Sequence, residues 1–244
     1  MFPFAIVHLT IIPWDFLLIL IVLGTLVPWR GAVRVRRLLD RPSSGPTERL
    51  SLYGSTIAYQ WLIVAVVAWR ALSRGLRPVD LGLTASNPWK ITWIAIIFTT
   101  LLCSNQWASL RRMTQIPDAQ RGLMFKIAEK IMPSSSTEMF VFVLLACTAG
   151  LSEEFLYRGF VFTAFVRVFA TSSLSVLIAA VLSSIWFAVG HIYQGQRGLI
   201  TTFVVGMLFA AIRIWTTSLV PSMVAHAGID IVAGVCLWKY RKAG

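Results

Sequence analysis

The stretch Leu151-Ser152-Glu153-Glu154-Phe155-Leu156-Tyr157-Arg158-Gly159 sets two carboxylates and a guanidinium inside an apolar run that extends from about Met139 to Ala170. Ionisable groups at membrane depth cost roughly 2.5–3.5 kcal/mol each on insertion scales, so they are rare there and usually functional. Two further apolar segments carry one histidine each, His191 and His226, and the remaining histidine is His8 near the start. The acid–base chemistry of the chain is therefore confined to a few places, and the segments that hold it read as membrane-spanning.

Composition points the same way. Of 244 residues, 57% are hydrophobic and only 13% are charged, with a mean hydropathy of +0.75; a soluble domain carries about 25% charged residues. Apolar runs near 4–28, 50–69, 90–110, 138–165, 173–191, 198–215 and 218–238 are each long enough to span or nearly so. No strand alternation is sustained enough for a barrel. The expected fold class is all-α: a polytopic transmembrane helical bundle of about seven spans, or eight if the loop 70–90 hides another, around a polar intramembrane cavity. The first run is apolar from Met1 and lacks the basic region of a signal peptide, so it reads as a retained helix. Residues 1–135 form an N-terminal three-span region, and 136–244 form the helical core that carries the ionisable motifs, the two together making one integral membrane unit.

The net charge is +12. The basic residues cluster between apolar runs, where topology signals and anionic-lipid contacts belong, which argues against a nucleic-acid partner. With the N-terminus outside, fifteen Lys and Arg fall on the inner side and six on the outer. That asymmetry favours seven spans, a C-terminus inside and a plasma-membrane location. Arg41 to Thr47 is a loop by its Pro, Gly and Ser content, and Asp118 to Met132 is expected as an interfacial amphipathic helix. The cysteines, Cys103, Cys147 and Cys236, lie in apolar segments, with neither a disulfide framework nor metal-type spacing.

The fourth run is too long for a plain crossing: its residues would reach about 42 Å against a hydrocarbon core of about 30 Å. It must tilt, project or break, and Gly150 and Gly159 on either side of the charged motif are the expected points of bending or close helix approach. Glu154 and Arg158, four apart, share one helix face in the favourable order, and a buried Arg demands such a partner. Glu153 is turned about 100° away. Desolvated carboxyls in general exchange protons nearer neutrality, which suits a general base. His191 ends an apolar helix with Phe187 one turn before it, and His226 and Asp230 share a side of the last helix. Alone, the Glu154–Arg158 pair and His191 read as structural, His226 with Asp230 reads either way, and Glu153 reads as a general base. Four polar groups from three apolar helices, however, need one another or shared water, and a polar cavity satisfies them together.

Among the ten Trp, Trp14, Trp29, Trp69, Trp89 and Trp107 lie near span ends and read as interfacial anchors. Trp186 and Phe187 are candidate pocket residues, Trp186 also reading as core packing. No phosphate loop, serine-nucleophile elbow or Cys-pair metal motif is present.

Glu153-Glu154-x-x-x-Arg158, Phe187-x-x-x-His191 and His226-x-x-x-Asp230 resemble, in order and spacing, the three motifs of the CAAX protease and bacteriocin-processing family, also called ABI, which includes the type II CAAX prenyl endopeptidases. The resemblance covers roughly residues 138–238. It implies a glutamate-dependent intramembrane protease acting on a membrane-anchored or lipidated protein or peptide, with the lipid bilayer as its surroundings. By that resemblance Glu153 activates water assisted by His191, His226 and Asp230 polarise the scissile carbonyl and stabilise the oxyanion, and Glu154 orients the site through Arg158. Asp230 departs from the Asn of the prenyl endopeptidases. An ionised Asp cannot donate to an oxyanion, so its expected part is to accept from His226 and set its tautomer. No cofactor is expected. A zinc-dependent version would use Glu153, His191 and His226 as ligands, and a non-enzymatic immunity or scaffold role is the reading from another class.

Overall fold

The computed structural model describes residues 12–40, 45–117 and 122–243, with side chains through Tyr240. Helix α1 (Trp14–Ile21) runs through a π-helical turn (Val22–Leu26) into α2 (Val27–Leu39). Next come α3 (Pro46–Ser73), α4 (Pro88–Thr114) and α5 (Leu123–Ile131). Helix α6 (Ser136–Glu154) passes through a second π-helical turn (Phe155–Val161) into α7 (Phe162–Val168). Then follow α8 (Ser175–Gly190), a 3-10 turn (Ile192–Gln194), α9 (Gly195–Thr216) and α10 (Val220–Ala243). The long rods begin where local chemistry allows. Pro46 and Pro88 occupy first helical positions, where the missing N–H is no loss. The Asn87 and Ser135 side chains accept from the N–H groups of Lys90 and Glu138 at 3.0 and 3.2 Å.

Among the described residues, six rods are long and apolar enough to cross a membrane: Trp14–Leu39, Pro46–Ser73, Pro88–Thr114, Ser136–Val168, Ile192–Thr216 and Val220–Tyr240. The run expected at 173–191 is α8, apolar but only 16 residues long, about 24 Å at 1.5 Å per residue. The architecture is an all-helical, multi-pass membrane bundle, and large apolar side chains cover its outside. Trp14, Trp69 and Trp89 are 64–72% exposed near rod ends, as interfacial anchors are, whereas Trp29, 64% exposed, lies within the first rod.

The core forms where α1 and its π-helical turn meet the segment from Phe155 to Phe165 and the small residues Ala179 and Ala180 of α8. Phe16 meets Phe160 edge-on at 4.9 Å. Ion pairs tie α3 to its neighbours. Arg49 of α3 binds Glu138 of α6 at 2.7 and 3.1 Å, and Asp15 of α1 receives Arg70 and Arg74 at 2.5 and 3.1 Å.

The loop between Arg74 and Asn87 holds turns rather than an eighth span. It is stitched to the bundle. The Leu219 N–H donates to the Gly82 carbonyl, Ser218 to that of Thr84, and Thr163 and Arg213 to that of Asp80. Gly82 has φ +78°, a conformation open to glycine. Its basic residues answer local carboxylates: Arg77 donates to Asp80 and holds that carboxyl below its usual range. Arg70 and Arg74, beside the same loop, pair likewise with Asp15.

The long fourth rod adds residues through its π-helical turn, immediately after the paired glutamates. At Gly150 a Cβ would stand 2.8 Å from the Met223 carbonyl oxygen and the Ala227 nitrogen of α10, so the glycine allows the two backbones to touch. The expected amphipathic helix at 118–132 is α5, with Phe125 and Ile127 buried; its first expected residues, 118–121, lie outside those described, as do Arg41 to Ser44 and His8.

Candidate active site

Three elements bring the ionisable side chains together. Glu153 and Glu154 end α6, His191 caps the C-terminus of α8, and His226 and Asp230 lie two and three turns into α10. Glu153, His191, His226 and Asp230 all line one cavity of about 430 Å³.

Glu154 and Arg158 are fully buried and paired at 2.9 Å, the i,i+4 contact their spacing implied. The same Glu154 Oε1 receives His226 Nδ1 at 3.0 Å. An ionised carboxylate only accepts, so the proton sits on Nδ1 and Nε2 is turned to the cavity. Arg158 also lies 4.0 Å over the Phe187 ring, a favourable placement for a desolvated cation. Phe187 contacts both histidine rings edge-on, at 4.7 and 5.8 Å.

His191 is fixed by the backbone. Its Nδ1 donates to the Phe187 carbonyl oxygen at 2.9 Å. A carbonyl accepts only, so here too Nε2 is left for the cavity. The two Nε2 atoms converge on Glu153 Oε2, at 3.8 Å from His191 and 4.0 Å from His226. The other oxygen of Glu153 accepts from the Gln60 amide of α3 at 2.9 Å.

Two of the candidate residues stand apart from this cluster. Asp230 does not set the tautomer of His226, because Glu154 holds Nδ1 and Asp230 Oδ2 stands 3.9 Å from Nε2. Asp230 instead lies on the wetter side of the cavity, 38% exposed. Trp186 is not a pocket residue. Its Nε1–H donates to the Leu20 carbonyl oxygen at 2.9 Å and its ring packs on Phe165, so it ties α8 to α1. Gln60 was missed. A lone glutamine in an apolar helix carries no motif, though its cost at membrane depth was a readable signal. Among the described residues, no group of three or more His, Cys, Asp or Glu is arranged to hold a metal ion.

The fold and these contacts define a multi-pass membrane protein with a buried carboxylate–histidine cavity. Residues 135–232 match the family model for the type II CAAX prenyl endopeptidase Rce1-like proteins, the same stretch that carries the three motifs. No curated protein and no solved structure matches the chain. The family is one of CAAX-type intramembrane proteases, whose substrates are membrane-anchored proteins.

Proposed function

We propose that this chain is an intramembrane endopeptidase in which Glu153 activates water for attack on a peptide bond of a membrane-anchored or lipidated protein or peptide. The observation that carries the reading is the convergence of Glu153 Oε2 and the two histidine Nε2 atoms, with Oε2 buried and, among the described residues, without a hydrogen-bond partner. Such a set calls for a proton donor among them. A water at about 2.8 Å from both Glu153 Oε2 and His191 Nε2 bridges their 3.8 Å separation. It would donate to both groups and direct its lone pair at the substrate carbonyl.

Proton balance follows from the hydrogen bonds. Attack transfers a proton from water to Glu153, which returns it to the leaving amine. The tetrahedral oxyanion needs a donor. His226, carrying a proton on each ring nitrogen before the attack, donates from Nε2, its charge held against the Glu154 carboxylate at Nδ1. Arg158 in turn fixes Glu154, and Asp230 at the cavity edge favours the same charge on His226.

The test compares the termini of membrane proteins, by mass spectrometry, in cells with wild type or Glu153→Gln at matched expression. Processed termini that vanish in the variant support the reading and identify the substrate. Identical termini, with both proteins folded and inserted, would transfer the site to an immunity or scaffold role.

A further inference from the structure

The cavity extends well beyond the cluster around Glu153, into a region built by helices outside the family match. Its wall includes Val27, Gly31, Arg34, Val35 and Leu38 of α2, positions that recur at helical spacing and form one stripe. Four are apolar or small. Arg34 sets a cation on that same stripe, whereas Arg36 and Arg37 are exposed. Arg30, one turn before Arg34, is exposed like Arg36 and Arg37 but also lines the cavity.

These guanidiniums are positioned by neutral groups. Arg34 donates to Thr56 Oγ1 at 3.1 Å, to Ser55 Oγ at 2.5 Å and to the Leu52 carbonyl at 3.4 Å. Arg30 lies 4.5 Å over the Tyr59 ring. Among the described residues no carboxylate pairs with either. Glu153 and Asp230 line the same cavity but neither is bonded to these two cations, and a guanidinium fork matches a carboxylate in shape as well as charge.

We infer that Arg34, with Arg30, forms a subsite for a carboxylate of the substrate, a few residues from the bond that is cut. The spacing comes from α3. Thr56, which holds Arg34, and Gln60, which holds Glu153, are four residues and so about 6 Å apart along one helix, the rise of about two extended residues. The inference rests on the endopeptidase reading for the location of the bond, but not for the binding itself.

Binding is therefore measured on the Glu153→Gln protein in neutral phosphatidylcholine nanodiscs. The probe is a fluorescent S-farnesyl peptide, the substrate class stated by the family description, made once as the free C-terminal acid and once as the amide. The acid is expected to bind on the order of tenfold more tightly, and Arg30→Gln/Arg34→Gln is expected to erase that preference. The acid–amide comparison needs no change in the cavity wall, so misfolding of the double variant cannot imitate a negative result. Equal binding of acid and amide, or binding of neither, overturns the subsite. A preference that disappears when phosphatidylglycerol is added would assign the cations to lipid phosphate and overturn it as well. If the acid is preferred yet wild type cleaves neither peptide nor any cellular protein, the subsite stands and the endopeptidase reading fails.

Discussion

One amide holds Glu153 in register with its histidines. The Gln60 N–H fixes Oε1 at 2.9 Å and leaves Oε2 facing His191 and His226. Gln60→Leu removes this constraint with little change in size. Because the carboxylate itself remains, the expected result is a fall in kcat of about ten- to a hundredfold with KM little changed. Gln60→Asn, whose shorter side chain cannot reach the same oxygen, should fall with Leu, and wild-type kcat in both would remove Gln60 from the positioning of the site. At this scale legibility followed cost. Glu153, Glu154, Arg158, His191, His226 and Asp230 announced themselves because their types are expensive in an apolar helix. Their hydrogen bonds were not announced. Glu154 serves both Arg158 and His226, and that second contact joins residues 72 positions apart. For the same reason the sequence did not show that Glu154 holds the His226 Nδ1, and it left Trp186 between core packing and the pocket. A tryptophan N–H bound to a backbone carbonyl on another helix leaves no trace in composition.

Between elements, the approach of α10 to α6 sets how near His226 comes to Glu153, and Gly150 is where the two helices touch. A Cβ there stands 2.8 Å from backbone atoms of α10, which cannot yield as a side chain does. Gly150→Ala is expected to lower stability by about 1–3 kcal/mol through overpacking, and Gly150→Val by more. Both should lower cleavage in the same order, since the clash pushes α10 and its histidine outward. Thermal unfolding in detergent, with cleavage assayed well below the transition, separates the two effects; a Val variant as stable and active as wild type would show that the helices do not pack this closely. The places of the rods and the close approach at Gly150 were legible from hydropathy and from glycine among larger residues, but the first rod runs on to Leu39, past the expected end at 28. The π-helical turn after Glu154 was not, because a shift in hydrogen-bond register leaves the apolar pattern unchanged. Helix α8 was read as a plain span for a similar reason. Its apolar run continues up to His191, and only the structure shows that it stops beside Glu153.

Across the whole molecule, the family match begins at residue 135, yet the cavity does not. Gln60, Arg34, Tyr59 and Met124 come from the preceding part and share a wall with Glu153, His191 and His226. The two parts must therefore keep a fixed relation, and the Arg49–Glu138 pair joins them. Glu138 is fully buried and receives Arg49 at 2.7 and 3.1 Å and the Ser134 N–H at 2.8 Å. Truncation of one partner leaves the other as an uncompensated buried charge. Arg49→Met is expected to cost about 3–5 kcal/mol. Adding Glu138→Gln removes the orphaned charge and keeps an oxygen for the Ser134 N–H, so the double variant should recover most of that loss. The thermal midpoints of wild type, both single variants and the double in one detergent close the cycle. A double variant no more stable than Arg49→Met would mean that α3 and α6 are held together by packing alone. Recovery of stability without recovery of cleavage would assign the pair a second part, that of setting the register in which Gln60 meets Glu153.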